Sequence, residues 1–341
     1  MMRCFQGDRK MKHGKKCKID KYTLILIVLL LLLTGLVIAW KLPQKEDRYI
    51  HVGIAVYDRS DTFMESYIRE LEDKIGQTRI LGKKVSYEIY DAEGIGSRQE
   101  KQLQEMYAQD YDVMLVNLVE PASAASVLTD AKDADIPVIL FNREIDEKDL
   151  KISKNVWYVG TDARAAGVMQ GKLLKDLWKK QSRILDWNGN GMLDYVLVEG
   201  EESHFDAIRR TSGFLETGAE LPLNQKGNIL AEWKRELAYE KFAALDDEAV
   251  QNVEAVICNN DDMALGVYDY YKEKNLKLPV IIGINNSEEM HQKIMSGEMY
   301  GTIDNKMEDQ VMEICRLMQA ILKKDTGSYQ KVWYSTPKAI V

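Results

Sequence analysis

The segment from residue 186 to residue 194 is rich in oxygen atoms that could bind a metal ion. Its ligands alternate along the chain: Asp186, Asn188, Asn190, the Met192 carbonyl and Asp194. Ca²⁺ takes roughly six to eight oxygens, and Gly191 stands sixth, where an EF-hand-type loop turns sharply. The twelfth position, which in an EF-hand supplies a bidentate Glu, is Leu197. The spacing predicts a calcium site whose last ligand comes from elsewhere; the alternative is an Asx-rich surface turn.

A second polar cluster follows this loop and consists of His204, Asp206 and Arg210. If a helix begins near Asp206, the i, i+4 spacing places its carboxylate and the Arg210 guanidinium on one face. Beside a rigid calcium loop, this constellation predicts a binding site for a small ligand rich in hydroxyl groups. The alternative is a solvated helix start.

Strand and helix signals alternate from residue 49 onward. Apolar runs predict buried strands at residues 51–56, 85–90, 113–117, 138–141, 156–159, 195–198, 228–231, 255–258, 280–284 and 300–303. Helical spacing between the runs predicts two doubly wound α/β lobes in tandem, each built around a parallel sheet. No Gly-x-Gly-x-x-Gly follows the first strand and no Gly-Lys-Ser/Thr loop occurs, which removes the main support for dinucleotide and nucleoside-triphosphate sites.

Polar residues cluster where the predicted strands end. The clusters are Asp58 to Asp61, Asn142 to Glu144, Asn259 to Asp262, Asn285 with Asn286, and Asp304 with Asn305. Ligands of open α/β sheets bind outside the carboxyl ends of the strands, so two facing lobes would line one cleft. Any single Asn or Asp could instead cap a helix, but five clusters together favour a cleft.

The N-terminus predicts an exported protein. Residues 1–21 are basic, and residues 22–40 are uncharged and mostly Leu, Ile and Val, about the length that spans a bilayer. The charge bias predicts a cytoplasmic segment at 1–21, a transmembrane signal anchor at 22–40, a linker at 41–49 and an extracytoplasmic body. A cleaved signal peptide is the alternative. Residues 1–48 carry a net charge of +7 against −8 for the whole chain, so the body carries −15 and nucleic acid is a poor partner.

Nine segments together resemble the bacterial galactose/glucose-binding proteins of the periplasmic binding protein class, over about residues 50–341. They are VGIAVYDRSDTFM, LVNLVEP, PVILFNREID, YVGTD, DWNGNGMLD, ESHFDAIRRT, AEW, VEAVICNNDDMALG and GTIDN. Their order and spacing match as well. The resemblance implies the type I periplasmic-binding-protein architecture, with two lobes joined by a hinge.

The resemblance also implies the sugar contacts. Phe63 and Trp233 would stack on opposite faces of a pyranose ring, whose axial C–H groups form an apolar patch. The hydroxyls and ring oxygen would be bonded by Asp61, Asn142, His204, Asp206, Arg210, Asn260 and Asn305. Asn285 stands where the family has a sugar-binding Asp, which puts affinity and sugar identity in doubt.

By the same resemblance, Glu254 is the missing bidentate calcium ligand. The lobes would comprise residues 50–161 with 306–332, and residues 162–305 with 333–341. The hinge would cross near Thr161, Asn305 and the segment before Pro337. The predicted membrane helix departs from the family's usual cleaved signal or lipid anchor.

The function expected from these features is hexose binding outside the membrane, with galactose or glucose delivered to an ABC importer by hinge closure. A membrane-tethered sensor that presents its closed form to a histidine kinase or chemoreceptor is the alternative. Asp61 and Asp206 would flank the sugar as glycosidase carboxylates do, but a closed cleft leaves little room for an aglycone, so an enzyme is not expected.

Overall fold

The computed structural model describes residues 49–246 and 250–341, together with Lys21, Tyr22, Leu26 and Leu30 as exposed helical positions. The chain divides into two units, residues 1–48 and residues 49–341. Within the described part of the chain, no helix has both the length and the apolar character needed to cross a membrane. Apart from those four positions and Tyr49, the predicted basic segment, membrane anchor and linker lie outside the described residues.

The first lobe is built on a seven-stranded sheet. Its strands are β1 (Tyr49–Val56), β2 (Arg79–Ile80), β3 (Lys83–Asp91), β4 (Val113–Val116), β5 (Val138–Phe141), β6 (Val156–Thr161) and β12 (Val332–Ser335). Its helices are α1 (Thr62–Gln77), α2 (Gly96–Tyr107), α3 (Ala124–Asp133) and α9 (Met307–Leu322). The strand order is β12-β6-β5-β4-β1-β3-β2, and every pair is parallel except β2 with β3.

The second lobe is built on a six-stranded sheet. Its strands are β7 (Leu193–Glu199), β8 (Leu223–Leu230), β9 (Ala255–Cys258), β10 (Val280–Ile284), β11 (Gly301–Asp304) and β13 (Lys338–Ile340). Its helices are α4 (Ala163–Leu185), α5 (Phe205–Gly218), α6 (Arg235–Ala243), α7 (Asp261–Glu273) and α8 (Glu288–Met295). The order is β13-β11-β10-β9-β7-β8, with only β13 antiparallel to its neighbour.

Each sheet is buried on both faces, as the continuous apolar runs require. In β1, Val52 and Ile54 pack towards α1 and α9, whereas Ala55 belongs to the core under α2 and α3. Successive strand residues point to opposite faces, so one strand contributes to two cores. The two-lobed parallel α/β fold predicted from the sequence is confirmed, and it leaves the carboxyl ends of the strands free to form a site.

The chain passes from one lobe to the other at the ends of strands, and the next element belongs to the other lobe. β6 ends at Thr161 in the first sheet, and α4 then packs against α5 in the second lobe. At the last crossing the sequence placed residues 333–341 in the second lobe. β12 instead pairs with β6 through Ser335, so residues 333–335 belong to the first sheet and only β13 joins the second. Because these two strands are short and only two residues separate them, the sequence shows no periodicity from which the sheet of each could be assigned.

Candidate functional site

Side chains that follow the strand ends converge on one cleft. Three of them cap the helices that begin there: Asp61 accepts a hydrogen bond from the Met64 amide at 2.8 Å. Asn260 accepts one from the Met263 amide at 2.9 Å. His204 Nδ1 accepts one from the Asp206 amide at 3.1 Å. Capping fixes these side chains at the carboxyl edge of the sheets, so a helix cap and a ligand contact are compatible roles for the same residue.

The cleft has about 410 Å³ of space, a volume that includes the open solvent at its mouth. The residues that line it are Tyr57, Asp61, Phe63, Asn142, Arg143, His204, Asp206, Arg210, Trp233, Asn260 and Asn285. Nine of the ten residues that the sequence assigned to a sugar site are in this set. The tenth, Asn305, lies behind the lining and donates a hydrogen bond to Asn285 at 2.8 Å.

The two aromatic side chains of the cleft come from different lobes. Phe63 is in the first turn of α1, and Trp233 follows β8 with a φ of 67°, a left-handed conformation that aims its indole at the cleft. Trp233 can lie there only because residue 200 is glycine: a Cβ at Gly200 would be 2.3 Å from the indole. Residues with positive φ next to a ligand-sized space are typical of functional sites.

The charged groups of the cleft are buried together. Burial raises the pKa of the Asp206 carboxyl, and the adjacent Arg210 guanidinium opposes that shift. Arg210 also donates to the Asn259 carbonyl at 2.6 Å. Burial, reinforced by Arg143 and Arg210, lowers the pKa of His204 to about 2, so its imidazole is neutral. Because Nδ1 accepts from the Asp206 amide, the proton of that neutral ring is on Nε2, which is a donor.

Three buried polar atoms in this region have no hydrogen-bond partner among the described residues: His204 Nε2, Arg210 Nε and Asn305 Oδ1. Buried polar atoms in proteins are nearly always bonded, and an unpartnered one costs about 1–3 kcal/mol. The two donors, on His204 and Arg210, belong to residues that line the cleft with two aromatic side chains, and they suit a ligand whose hydroxyl oxygens accept hydrogen bonds.

Tyr57 and Arg143 line the cleft but were not assigned to it from the sequence. Both could have been identified from their positions, because Tyr57 directly follows β1 and Arg143 lies in one of the polar clusters at the predicted strand ends. The Arg143 guanidinium stacks over the Tyr57 ring at 3.7 Å, and Arg143 is 5% exposed. It also forms an ion pair with Glu201 of the second lobe at 2.9 Å.

The oxygen-rich loop folds as a compact turn before β7. Glu254 is fully buried and accepts hydrogen bonds from the amides of Asn188 at 3.3 Å and Asp194 at 2.9 Å. Asp186 accepts from the amides of Asn190 and Gly191, both at 3.0 Å. The structure therefore brings the loop and Glu254 together.

The fit of this loop to Ca²⁺ rests on its donor set, which is entirely of hard oxygens. Burial and the charge of the Asp194 carboxylate raise the pKa of the nearby Glu254, and Lys226 lies 3.3 Å from the Asp194 carboxylate. Asn188 and Asn190 turn their NH₂ groups towards Asp194, at 3.0 and 3.2 Å. Across the described ranges, no group of three or more His, Cys, Asp or Glu side chains is arranged to hold a metal ion. The residues fit Ca²⁺ if both amides rotate to present oxygen.

The fold and the cleft define a two-lobed ligand-binding protein. The Periplasmic binding protein domain family matches residues 52–326, which is most of the chain. This chain belongs to the periplasmic binding protein family, and the resemblance seen in the sequence is confirmed. Proteins of this family are extracytoplasmic and bind ligands without transforming them, so this chain is a binding protein and not an enzyme.

Two relatives illustrate the similarity in sequence. The chain is 30% identical over 290 residues to the D-galactose/methyl-galactoside binding periplasmic protein MglB of Haemophilus influenzae, covering 83% of this chain and 84% of that protein. It is 27% identical over 248 residues to the galactofuranose-binding protein YtfQ of Escherichia coli, covering 70% and 74%. Both alignments cover more than two thirds of each chain, so the similarity extends over both lobes.

Solved structures agree on the fold. A solute binding protein from Actinobacillus succinogenes with bound D-allose superposes with a TM-score of 0.74 at 19% identity, covering 85% of this chain and 96% of that one. The Caulobacter myo-inositol binding protein superposes with a TM-score of 0.73 at 23% identity, covering 88% and 95%. At these identities the likeness extends to the fold alone.

Proposed function

We propose that this chain binds a hexose, galactose or glucose, outside the membrane and delivers it to an ABC importer. The observation that carries the proposal is the pair of unpartnered donors on His204 and Arg210, which line the cleft together with Phe63 and Trp233. A pyranose fits both features, because its ring faces are apolar and its edge carries hydroxyls that donate and accept. The galactoside-binding relative from Haemophilus influenzae supports the same ligand class.

Delivery requires the two lobes to close and open, and the crossings between them form a bonded hinge. Gln310 Nε2 donates to Thr161 Oγ1 at 2.8 Å and to the Asn305 carbonyl at 2.9 Å. Ser335 Oγ donates to the same carbonyl at 2.7 Å. All three crossings thus meet in one small network, about which the lobes would rotate as in other hinge-closing binders.

Calorimetry on the purified body tests this function, with galactose and glucose as the main ligands and allose, ribose and myo-inositol as comparison ligands. We expect binding of galactose or glucose with a micromolar or lower dissociation constant. Binding of myo-inositol or ribose alone would overturn the hexose assignment. Binding of no sugar in the panel would overturn the function.

A sensor role is the second candidate, and the sequence of residues 1–40 favours it. A basic segment followed by an uncharged apolar segment would anchor the body permanently, and the sequence places no cysteine after that segment that could carry a lipid. In this proposal the closed form contacts a histidine kinase or chemoreceptor. Crosslinking in intact cells with sugar present separates the candidates: a permease is recovered in the transport role, and a kinase or receptor in the sensor role.

We also propose that the loop at 186–194 binds Ca²⁺ together with Glu254. The support is electrostatic: Glu254 is buried, its pKa is raised by burial, and Asp194 and Asp186 add to that shift. A divalent cation would neutralise these carboxylates and draw the amide oxygens of Asn188 and Asn190 inward. The ion would stabilise the second lobe and would not contact the sugar.

A further inference from the structure

Glu201 belongs to the loop between β7 and α5 and makes two contacts through one oxygen. Its Oε1 accepts a hydrogen bond from Arg143 Nη2 at 2.9 Å. The same oxygen accepts one from Trp233 Nε1 at 3.1 Å. Arg143 belongs to the first lobe, whereas Trp233 and Glu201 belong to the second. One carboxylate therefore connects the opposite lobe to the indole that faces the ligand space.

Arg143 is held in place by its own lobe, independently of Glu201. Its Nη1 donates to the Val119 carbonyl at 2.6 Å, and its guanidinium plane lies 3.7 Å above the Tyr57 ring. The planar guanidinium suits both contacts at once, since it stacks and donates in fixed directions. Arg143 thus presents a fixed cation at the lobe boundary, and it needs no rearrangement when the second lobe arrives.

We propose that Glu201 is a positioning residue that couples closure of the lobes to the orientation of Trp233 against the ligand. This inference rests on the proposed function as a closing sugar binder. When the lobes separate, Glu201 loses Arg143 and retains only the neutral bond to the indole. When they close, the charge-assisted bond to Arg143 fixes the carboxylate, and the carboxylate then fixes the edge of the indole.

The contact between Arg143 and Glu201 should affect the association and release rates of the ligand differently. The Arg143–Glu201 bond forms only when the lobes meet, which follows the first encounter with the ligand, so it slows release and leaves association unchanged. The Glu201 side chain is 38% exposed, so solvent screens the bond and its effect is moderate. A residue that merely supported the fold would change neither rate in this way.

Two substitutions separate the two contacts of Glu201. Glu201→Gln retains an oxygen for the Trp233 indole but removes the charge from Arg143, whereas Glu201→Ala removes both. Glu70→Gln is the matched control, because Glu70 forms a 3.1 Å ion pair with Lys74 within one helix of the first lobe. In stopped-flow measurements we expect Glu201→Gln to raise the release rate of the bound hexose about threefold at an unchanged association rate. Glu201→Ala is expected to raise it further.

A second measurement follows closure without any sugar. Thr62 and Asp262 touch across the lobes at 2.5 Å between Oγ1 and Oδ2, so a Thr62→Cys, Asp262→Cys pair forms a disulfide only when the lobes close. Cys4 and Cys17 are replaced by Ser in this background, and Cys258 and Cys315 are buried. We expect Glu201→Gln to slow disulfide formation about threefold and Glu70→Gln to leave its rate unchanged.

The proposal requires both effects, and the absence of either overturns it. Faster release of the hexose with an unchanged rate of disulfide formation would mean that Glu201 acts on the sugar alone. An unchanged release rate with slower disulfide formation would mean that the Arg143–Glu201 contact does not help to retain the ligand. If the parent protein binds no sugar while Glu201→Gln still slows disulfide formation, the proposed function fails and the coupling of closure to Glu201 is retained.

Discussion

Asn305 Nδ2 donates a hydrogen bond to Asn285 Oδ1 at 2.8 Å, which joins the ends of the neighbouring strands β10 and β11. Asn285 lines the cleft with a φ of 131°, and Asn305 lies behind it. Because Asn285 uses its oxygen on Asn305, its NH₂ group is the part available to a ligand. Asn285 therefore offers the cleft a donor where a carboxylate would offer an acceptor.

Asn285→Asp is expected to tighten binding of galactose or glucose about tenfold. One carboxylate oxygen would still accept from Asn305, and the other would make a charge-assisted bond to a sugar hydroxyl, worth about 1.5–3 kcal/mol against about 0.5–1.5 for a neutral bond. Calorimetry with both sugars measures the change. Asn286→Asp is the control, because Asn286 is adjacent but does not line the cleft. Equal dissociation constants before and after Asn285→Asp would contradict this expectation.

The positions of several residues that line the cleft could be predicted because they depend on strand ends. Apolar runs locate buried strands, parallel sheets expose their carboxyl ends on one edge, and Asn142, Asn260 and Asn285 directly follow such runs or lie within two residues of them. The residue types added the chemistry. Only the step that joined these strand ends into one cleft assumed that the two lobes face each other.

Contacts between the lobes could not be predicted. Arg143 and Glu201 are 58 residues apart and meet only through the closed arrangement of two sheets. Their charges gave no signal, since acidic and basic residues are frequent throughout the chain. The division between β12 and β13 failed for a related reason: strands of four and three residues are too short to show periodicity, and their sheet is decided by tertiary pairing.

The next prediction concerns the aromatic face of the second lobe. Trp233→Ala is expected to weaken hexose binding by about 2 kcal/mol or more, the usual loss of binding free energy when a principal contact residue is truncated. The melting temperature of the body should change little, because Trp233 is only partly buried and packs at the edge of its core. Unchanged affinity in calorimetry would place the sugar away from Trp233.

A glycine substitution tests the same face without removing the indole. Gly200→Ala would place a Cβ 2.3 Å from Trp233 and displace the indole from its position. We expect weaker sugar binding, by at least tenfold, with the fold retained. Gly76→Ala is the matched control, because Gly76 is helical and has nothing within 4 Å of its Cβ position. Equal affinity of Gly200→Ala and Gly76→Ala would show that the indole position is not important.

The pH dependence of binding should arise from Glu144, at the lobe boundary. Burial raises its pKa from 4.5 to about 7; the nearby carboxylates Asp206 and Asp162 add to the rise, while hydrogen bonding to Tyr334 and the charge of Arg209 oppose it. Arg209, in the second lobe, reaches the Glu144 carboxylate only across the boundary. An open cleft would expose the side of Glu144 that faces the second lobe to water, so its pKa would fall towards the ordinary value of 4.5.

Closing the lobes therefore takes up a proton between about pH 4.5 and 7. A raised pKa in the closed form means that the closed form is favoured at low pH and loses that advantage as pH rises through 7. We expect hexose affinity to increase about tenfold from pH 8 to pH 6. Calorimetry in buffers of different ionisation enthalpy should detect uptake of up to one proton. Glu144→Gln should remove the uptake, and persistence of the uptake in that variant would assign it to another group.

The last prediction concerns Ca²⁺. Exhaustive dialysis against EDTA is expected to lower the melting temperature of the body, because an ion that binds only the folded state stabilises it by about 2.7 kcal/mol at one hundred times its dissociation constant. Glu254→Gln should give the same lower melting temperature and remove its response to added Ca²⁺.

Glu202→Gln, at an exposed position outside the loop, is the control for loss of one negative charge. Sugar affinity should persist in all three cases, because the loop at residues 186–194 does not line the cleft. A melting curve that is identical with EDTA and with Ca²⁺ would show that the buried carboxylates of Asp194 and Glu254 are satisfied without an ion, by Lys226 and by main-chain and side-chain amides.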